Sequence, residues 1–287
     1  MGEGMQKIPH KVISPEQFEA LRPTDDGFVD CPAGDYSLIG ELHRPCFDPT
    51  RHTMVFESGC YLGGTRRVRL GVVFHGASVV GEFVSFGGRA SFTGSSTVGR
   101  GAVFHGDVRA AQAMRFGDDC VFIAGGVFGD HVSFGREARF HDESVFGDGC
   151  KFGTGSEFGA GCKFGRGCEF AEGCEFAPGC SFSAGCAFSA GCGFAGVSTF
   201  RAGCTFGGRS PVDHRRPYIS IGRVALVNTE ANYFLLDDDV YVKAGAFWGA
   251  GGSFVRHLAL KKNVTPLVIR EAELALAFAH AVRDSMT

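Results

Sequence analysis

The chain has 287 residues, of which 44% are hydrophobic and 21% charged, with a formal net charge of −3. That balance excludes a disordered tail and a membrane-embedded protein, and it gives no electrostatic case for nucleic acid or an anionic membrane surface. Two counts stand out, 44 Gly and 29 Phe against one Trp and five Tyr, and without a three-residue glycine period they describe a chain that turns often rather than collagen.

In chain order, the opening MGEGMQKIPHKV lacks the apolar core of a signal peptide, and no later segment approaches the length of a membrane span. Ser14-Pro15-Glu16-Gln17 reads as a helix start: Ser at the cap, Pro in the first turn, Gln three residues on. This helix is expected to run to about Leu21 and stop before Pro23. The rest of residues 1–55 is turn-rich and is expected to be an irregular capping segment. Cys31 and Cys46 fall within it, open either to pairing or to remaining thiols.

From Phe56 the chain is periodic. Stepping by six from Phe56 to Phe206 gives 26 consecutive units without insertion, and only Ala110 lacks a large apolar side chain. Four residues after each of these lies a second restricted position, held by small residues such as Cys60, Ser78, Ser96 and Cys120, and mostly by Cys from Cys150 to Cys204. Arg66 and Met114 depart from that rule. From Gly149 to Gly203 the residue before this position is Gly except at Val197.

Positions four and six residues apart share parity, so in an extended chain both point to one side and the residue between them points away. A small and then a large inward residue followed by a Gly-rich corner makes a short strand and a tight turn. Three such edges close an 18-residue coil, and 26 units give eight to nine coils. Successive coils stack as parallel strands at roughly 4.8 Å. Ten of the 12 cysteines obey the repeat and read as small packing residues. Stacked Cβ atoms near the strand spacing lie farther apart than the roughly 3.5–4.5 Å of a disulfide.

The unit resembles the hexapeptide repeat of left-handed parallel β-helices, [LIV]-[GAED]-x-x-[STAV]-x, with Phe in place of the aliphatic residue. The resemblance implies the left hand and a mainly β solenoid over residues 56–210. Some proteins of that fold are acyltransferases or γ-class carbonic anhydrases, usually trimers with histidines between subunits, and "AVFHGDVRA" resembles an RGDV-type stretch of the anhydrases. His75, His105, His131 and His141 are the histidines within the repeat that this brings forward. His105 and His141 share a column but stand two coils apart, roughly 10 Å, too far for one zinc with ligands at about 2 Å. They remain weak enzymatic candidates, and polar corner residues explain them better. No cofactor or metal is implied.

Beyond about Ser210 the pattern changes to a small α+β domain, residues 211–287. "YISIGRVALVN", "NYFLL" and "VYVKAGAFW" read as strands, the last two joined through a hairpin at Asp237-Asp238-Asp239 rather than by a carboxylate metal site. Thr265-Pro266 opens a helix to about Asp284. Its polar residues Arg270, Glu273, His280 and Asp284 lie on one stripe, with Leu267, Leu274, Phe278 and Val282 elsewhere, so it is expected to be buried on most sides.

Two surface features point to partners. Ala177 to Phe200 contains no charged residue, and its outward positions Ser181, Ala187, Gly193 and Thr199 are expected to be covered by the C-terminal domain or by other subunits. Outward Val73, Val79, Val103, Val121, Val127 and Val145 mark a second region expected to be covered or self-associating. The basic groups Arg66-Arg67-Val68-Arg69 and His214-Arg215-Arg216 read as solvated turns and a linker.

The capping helix, "CPAGDYS", the F-G-x-G-C array and "DDVYVKAGAFWG" together resemble uncharacterised proteins carried by bacteriophages and prophages. That resemblance implies a phage context and no activity; with the unbroken repeat it leads to the expectation of a non-enzymatic rod, a virion component (fibre, collar, tail or surface protein) assembled in the bacterial cytoplasm as a homotrimer and attached to other virion proteins through its ends. A phage-encoded module that binds a host protein is the second reading, and the acyltransferase or anhydrase is the third.

Overall fold

A large apolar residue at every sixth position, alternating with outward ones, folds here into a mainly β parallel solenoid of about eight turns, followed by a small antiparallel sheet with helices. The computed structural model describes residues 12–26, 28–34, 36, 52–63, 67–213, 217–221, 231–245, 247–261 and 264–286. Two compact units divide the chain, residues 1–147 and 148–287, and each is taken in turn.

The first unit opens with the helix Pro15–Ala20, held by both arms of a capping box: Gln17 N donates to Ser14 Oγ at 3.2 Å and Ser14 N to Gln17 Oε1 at 3.0 Å. The stretch after it corrects the expectation of irregular chain. Phe28–Cys31 is a strand paired in parallel with Thr53–Phe56, Val29 opposite Met54 and Cys31 opposite Phe56. Val29 and Cys31 point inward and Asp30 outward, so the strand adds a rung ahead of the six-residue register. Phe18 and Tyr36 cover this end, with Tyr36 edge-on to Phe56 at 5.3 Å and Phe18 edge-on to Tyr36 at 6.5 Å. Cys46 lies outside the described residues, and Cys31 is a buried free thiol.

Three parallel sheets follow. Their register repeats every 18 residues, as in Phe74 opposite Phe92, Phe104 opposite Phe122 and Phe116 opposite Phe134. The strand spacing sets the core. Phe104 and Phe122 stack at 5.0 Å, Phe122 and Phe140 at 4.9 Å, while rings from neighbouring columns meet edge-on, as Phe134 and Phe140 do at 4.8 Å. Each buried ring contributes about 2 kcal/mol from area alone, and each favourable ring pair adds about 0.5–1.5 kcal/mol.

The corners require a left-handed residue three places after the inward apolar one. Six non-glycine residues among the described ones adopt it: Phe83, Ala113, Asp119, His131, Glu137 and Glu143. Corner N–H groups find acceptors one coil on: Phe83 N donates to Arg100 O, Ala113 N to Asp130 O and Asp119 N to Arg136 O, each at 2.8 Å. Asp118 Oδ1 accepts from Arg136 N at 2.8 Å, and its carboxylate fills the space where a Cβ on Gly135 would stand.

In the second unit the same packing continues, with Phe152 stacked on Phe170 at 4.9 Å and Phe164 on Phe182 at 4.8 Å. Glycine now takes the corners. The Val197 irregularity is resolved by a one-residue shift: Gly196 carries the positive φ of 61°, Val197 is 80% exposed, and Val197 O still accepts from Gly179 N at 2.8 Å.

The C-terminal sheet is antiparallel, in the order Tyr218–Ile221, Ala231–Leu235, Val240–Ala244, Phe247–Ala250. The "VYVKAGAFW" strand of the sequence reading is in fact two strands, because the chain reverses at Gly245, whose φ of 56° suits a tight turn. Of "YISIGRVALVN" only Tyr218–Ile221 falls within the described residues. The helix Gly251–Ala259 was not foreseen; the predicted Pro266–Asp284 helix is present. Ala231, Tyr233 and Leu235 pack with Phe254, Leu258, Val268, Ala272 and Ala279 in one apolar cluster.

Two predictions follow from this architecture. Phe122→Ala should cost about 3–5 kcal/mol in guanidinium unfolding, the range for an aromatic cavity in a packed core. Ala113→Gly should stabilise and Gly173→Ala destabilise, each by on the order of 1 kcal/mol. A Cβ at Gly173 meets no atom within 4 Å, so that cost would come from its φ of 69° alone.

Candidate functional site

The outward valines do not form one patch. Val73, Val127 and Val145 lie on one sheet of the first unit, Val103 and Val121 on a second, and Val79 on the third. Val127 stands opposite Val145, with 54% and 37% of their surfaces exposed, while Arg109 and Ser91 separate them from Val73 along the same sheet. These outward valines are thus distributed over three sheets.

His105 and His141 follow Phe104 and Phe140, and Ile123 occupies the rung between them. Both histidines are exposed corner residues. His75 Nδ1 lies 3.0 Å from Thr93 Oγ1, and His131 is one of the left-handed corner residues. Among the described residues no group of three or more His, Cys, Asp or Glu is placed to hold a metal ion.

The cysteines do more than fill space. Their Sγ atoms donate to the carbonyl of the residue following the inward Phe one coil earlier: Cys174 to Gly153 O at 3.5 Å, Cys186 to Gly165 O at 3.3 Å and Cys192 to Ala171 O at 3.4 Å. Ser156 Oγ serves the Gly153 carbonyl from its own coil at 2.8 Å. The repeat thus selects a small side chain that also offers a weak donor. Burial pushes the Cys120 thiol up to about 12 and Cys60 to about 11. The hydrogen bond with Cys186 lowers Cys204 to about 7, but at 1% exposure Cys204 presents no surface to a reagent.

The last coil of the second unit is closed by residues that the sequence reading did not single out. Tyr218 stacks on Phe194 at 5.4 Å, and Phe234 lies 5.2 Å from Phe206. Phe194 N, which has no further strand to pair with, donates to Asn232 Oδ1 at 3.1 Å, and Asn232 is 1% exposed. Tyr218 OH donates to Gly196 O at 3.1 Å. On the flank, Lys243 Nζ reaches Glu175 Oε1 at 2.8 Å. The central strand Ala231–Leu235 is buried on both faces, Asn232 and Phe234 meeting the coil and their neighbours meeting the helices.

This accounts for part of the uncharged belt. Gly193 is buried, Ser181 and Ala187 are half-buried, and Thr199 is exposed. The C-terminal sheet covers the coil's end more than its sides. A cluster of aromatic residues after a Phe-rich repeat was the available signal, since an exposed ring layer needs an apolar lid.

The Asp237-Asp238-Asp239 carboxylates are engaged locally. Asp237 and Asp239 accept from the backbone of the next residue, and Asp238 Oδ2 accepts from Arg209 Nε at 2.8 Å and Tyr241 OH at 3.1 Å. Arg283 ties the turn to the last helix through Leu236 O at 2.7 Å and Asp237 O at 2.8 Å. His214, Arg215, Arg216 and Arg66 lie outside the described residues.

The helix Pro266–Asp284 corrects the expectation of burial on most sides. Val268, Ala272 and Ala279 are buried, while Leu267, Leu274 and Phe278 are 68%, 56% and 58% exposed. The sheet it rests on offers one apolar face, so one stripe of the helix finds cover among the described residues.

Asn232→Leu should strand the Phe194 N–H and cost about 1–3 kcal/mol, and amide exchange at Phe194 should quicken with it. In comparison with known proteins, no protein-family model matches the chain, and neither a curated protein nor a solved structure matches it.

Proposed function

We propose that this chain is a non-enzymatic structural scaffold, a component of a larger assembly. The observation that supports it best is the unbroken register. In each unit the strands recur every six residues, and no loop leaves the coil between Arg67 and Phe146 or between Lys151 and Phe206. An active site on such a frame needs an insertion or a convergence of polar groups. Here inward positions are committed to the ring columns and corner positions to backbone hydrogen bonds.

The covered ends bear on how such a scaffold attaches. Phe18 and Tyr36 lie over the first rungs of one unit, Tyr218 and Phe234 over the last rungs of the other. Edge-to-edge addition of strands is thereby discouraged, which leaves outer faces and the C-terminal helices for attachment. The resemblance of the F-G-x-G-C array and "VYVKAG" to phage-borne proteins makes a virion the assembly to test first, with other virion proteins as partners.

The deciding measurement is co-sedimentation of the protein with purified virus particles from the cells that encode it, quantified by mass spectrometry. A fixed copy number per particle is expected. Absence from particles would overturn the virion assignment and direct the search to proteins captured from infected cells, the outcome a host-binding module predicts.

A further inference from the structure

The C-terminal helix is anchored on one side and open on the other. Val268, Ala272 and Ala279 fix it to the sheet and Arg283 ties it to the Asp237 turn. The opposite face, Leu267, Leu274, Ala277, Phe278 and Ala281, is exposed. Leu267, Leu274 and Phe278 are spaced by seven and then four residues, which aligns them along one side of an α-helix. Ala277 and Ala281 beside them leave room for a second helix to approach closely. A rigid apolar stripe of this kind is a helix-pairing surface.

Charge along the stripe selects the occupant. Arg270 flanks one end and Asp284 the other, and both are exposed. We propose that this face binds the same face of a second copy of the chain, with the two helices antiparallel across a two-fold axis. With the axis at Leu276, Leu274 of each copy packs against Phe278 of the other. Arg270 then lies about 9 Å from the axis and Asp284 of the other copy about 12 Å from it on the same side, at 1.5 Å per residue. That separation is within reach of an arginine side chain, so both ends gain an ion pair. A parallel pairing, or a three-fold bundle of these helices, would place Arg270 level with Arg270 and Asp284 level with Asp284, so neither end gains that ion pair and like charges gather at each end. Arg270 already pairs with Glu273 at 3.1 Å and Asp284 with Arg283 at 3.2 Å; the Arg270, Glu273 and Asp284 side chains are solvent-exposed, so these pairs are readily exchanged for one across the interface.

The test is sedimentation equilibrium of the full chain from low micromolar to several hundred micromolar. A monomer–dimer equilibrium is expected. Phe278→Glu should weaken it by about a hundredfold or more, the order of a lost interface anchor. Arg270→Glu should weaken it by about tenfold, and adding Asp284→Arg to that variant should restore it. These side chains are exposed, so circular dichroism should show the fold retained, and the charge exchange reports on the interface even if Phe278→Glu disturbs the helix. A monomer at all concentrations would overturn the proposal, as would a trimer, or a dimer that neither Phe278→Glu nor Leu274→Glu weakens. The proposal rests on the scaffold reading only in treating the chain as an assembly subunit. A dimer absent from particles would leave it standing and overturn the virion assignment, and a monomer found in particles would do the reverse.

Discussion

The structure depends on a match between two lengths. Parallel strands stack at about 4.8 Å, and phenylalanine rings in one column stack at 4.7–5.1 Å. Because backbone pairing and ring stacking want nearly the same spacing, a ring at every sixth residue satisfies both without strain. The columns then meet edge-on, as Phe164 and Phe170 do at 5.0 Å, which suits the ring quadrupole. An aliphatic column would keep the strand spacing but lose that directional term, so the aromatic choice fixes side-chain orientation as well as volume.

The same repetition sets the chemistry of the corners. Each turn directs one carbonyl inward, and a thiol or hydroxyl in the small position answers many of them, as Cys186 does for Gly165 and Ser144 for His141. The monotony of cysteine in the second unit therefore has a local cause, a small inward side chain with a donor, and needs no redox or metal role. Where the first unit uses Ala102 or Val132 instead, packing is kept and the donor is given up. The left-handed corner is likewise required by closure rather than by glycine, since Glu137 and Glu143 adopt it at some conformational cost.

A repeat that satisfies itself internally has a problem only where it stops. The last ring layer and its unpaired N–H groups would face water, and the C-terminal sheet answers both with one strand. Phe234 covers rings and Asn232 accepts from Phe194, while Tyr233 and Leu235 on the reverse side hold the helices. That double duty leaves the last helix with one face in use and one apolar face exposed among the described residues. The exposed apolar residues Leu267, Leu274 and Phe278 thus lie outside the repeat, in a segment of non-repeating sequence.

Periodicity alone was sufficient for the coil, its 18-residue register, the inward residues and the cap at Ser14, because each is a short-range rule repeated or completed within a few residues. The hairpin at Asp237-Asp238-Asp239 and the Pro266–Asp284 helix were legible for the same reason. Tertiary structure decided the rest. The strand Phe28–Cys31 exists because Thr53–Phe56 offers an edge 25 residues later in the chain, a spacing the six-residue step does not contain. The outward valines looked like one surface in the sequence, but closure of the coil into three sheets divides them. Whether Leu274 and Phe278 were buried turned on how many faces the sheet presents to the helix, a matter of domain geometry that no periodicity within the helix encodes.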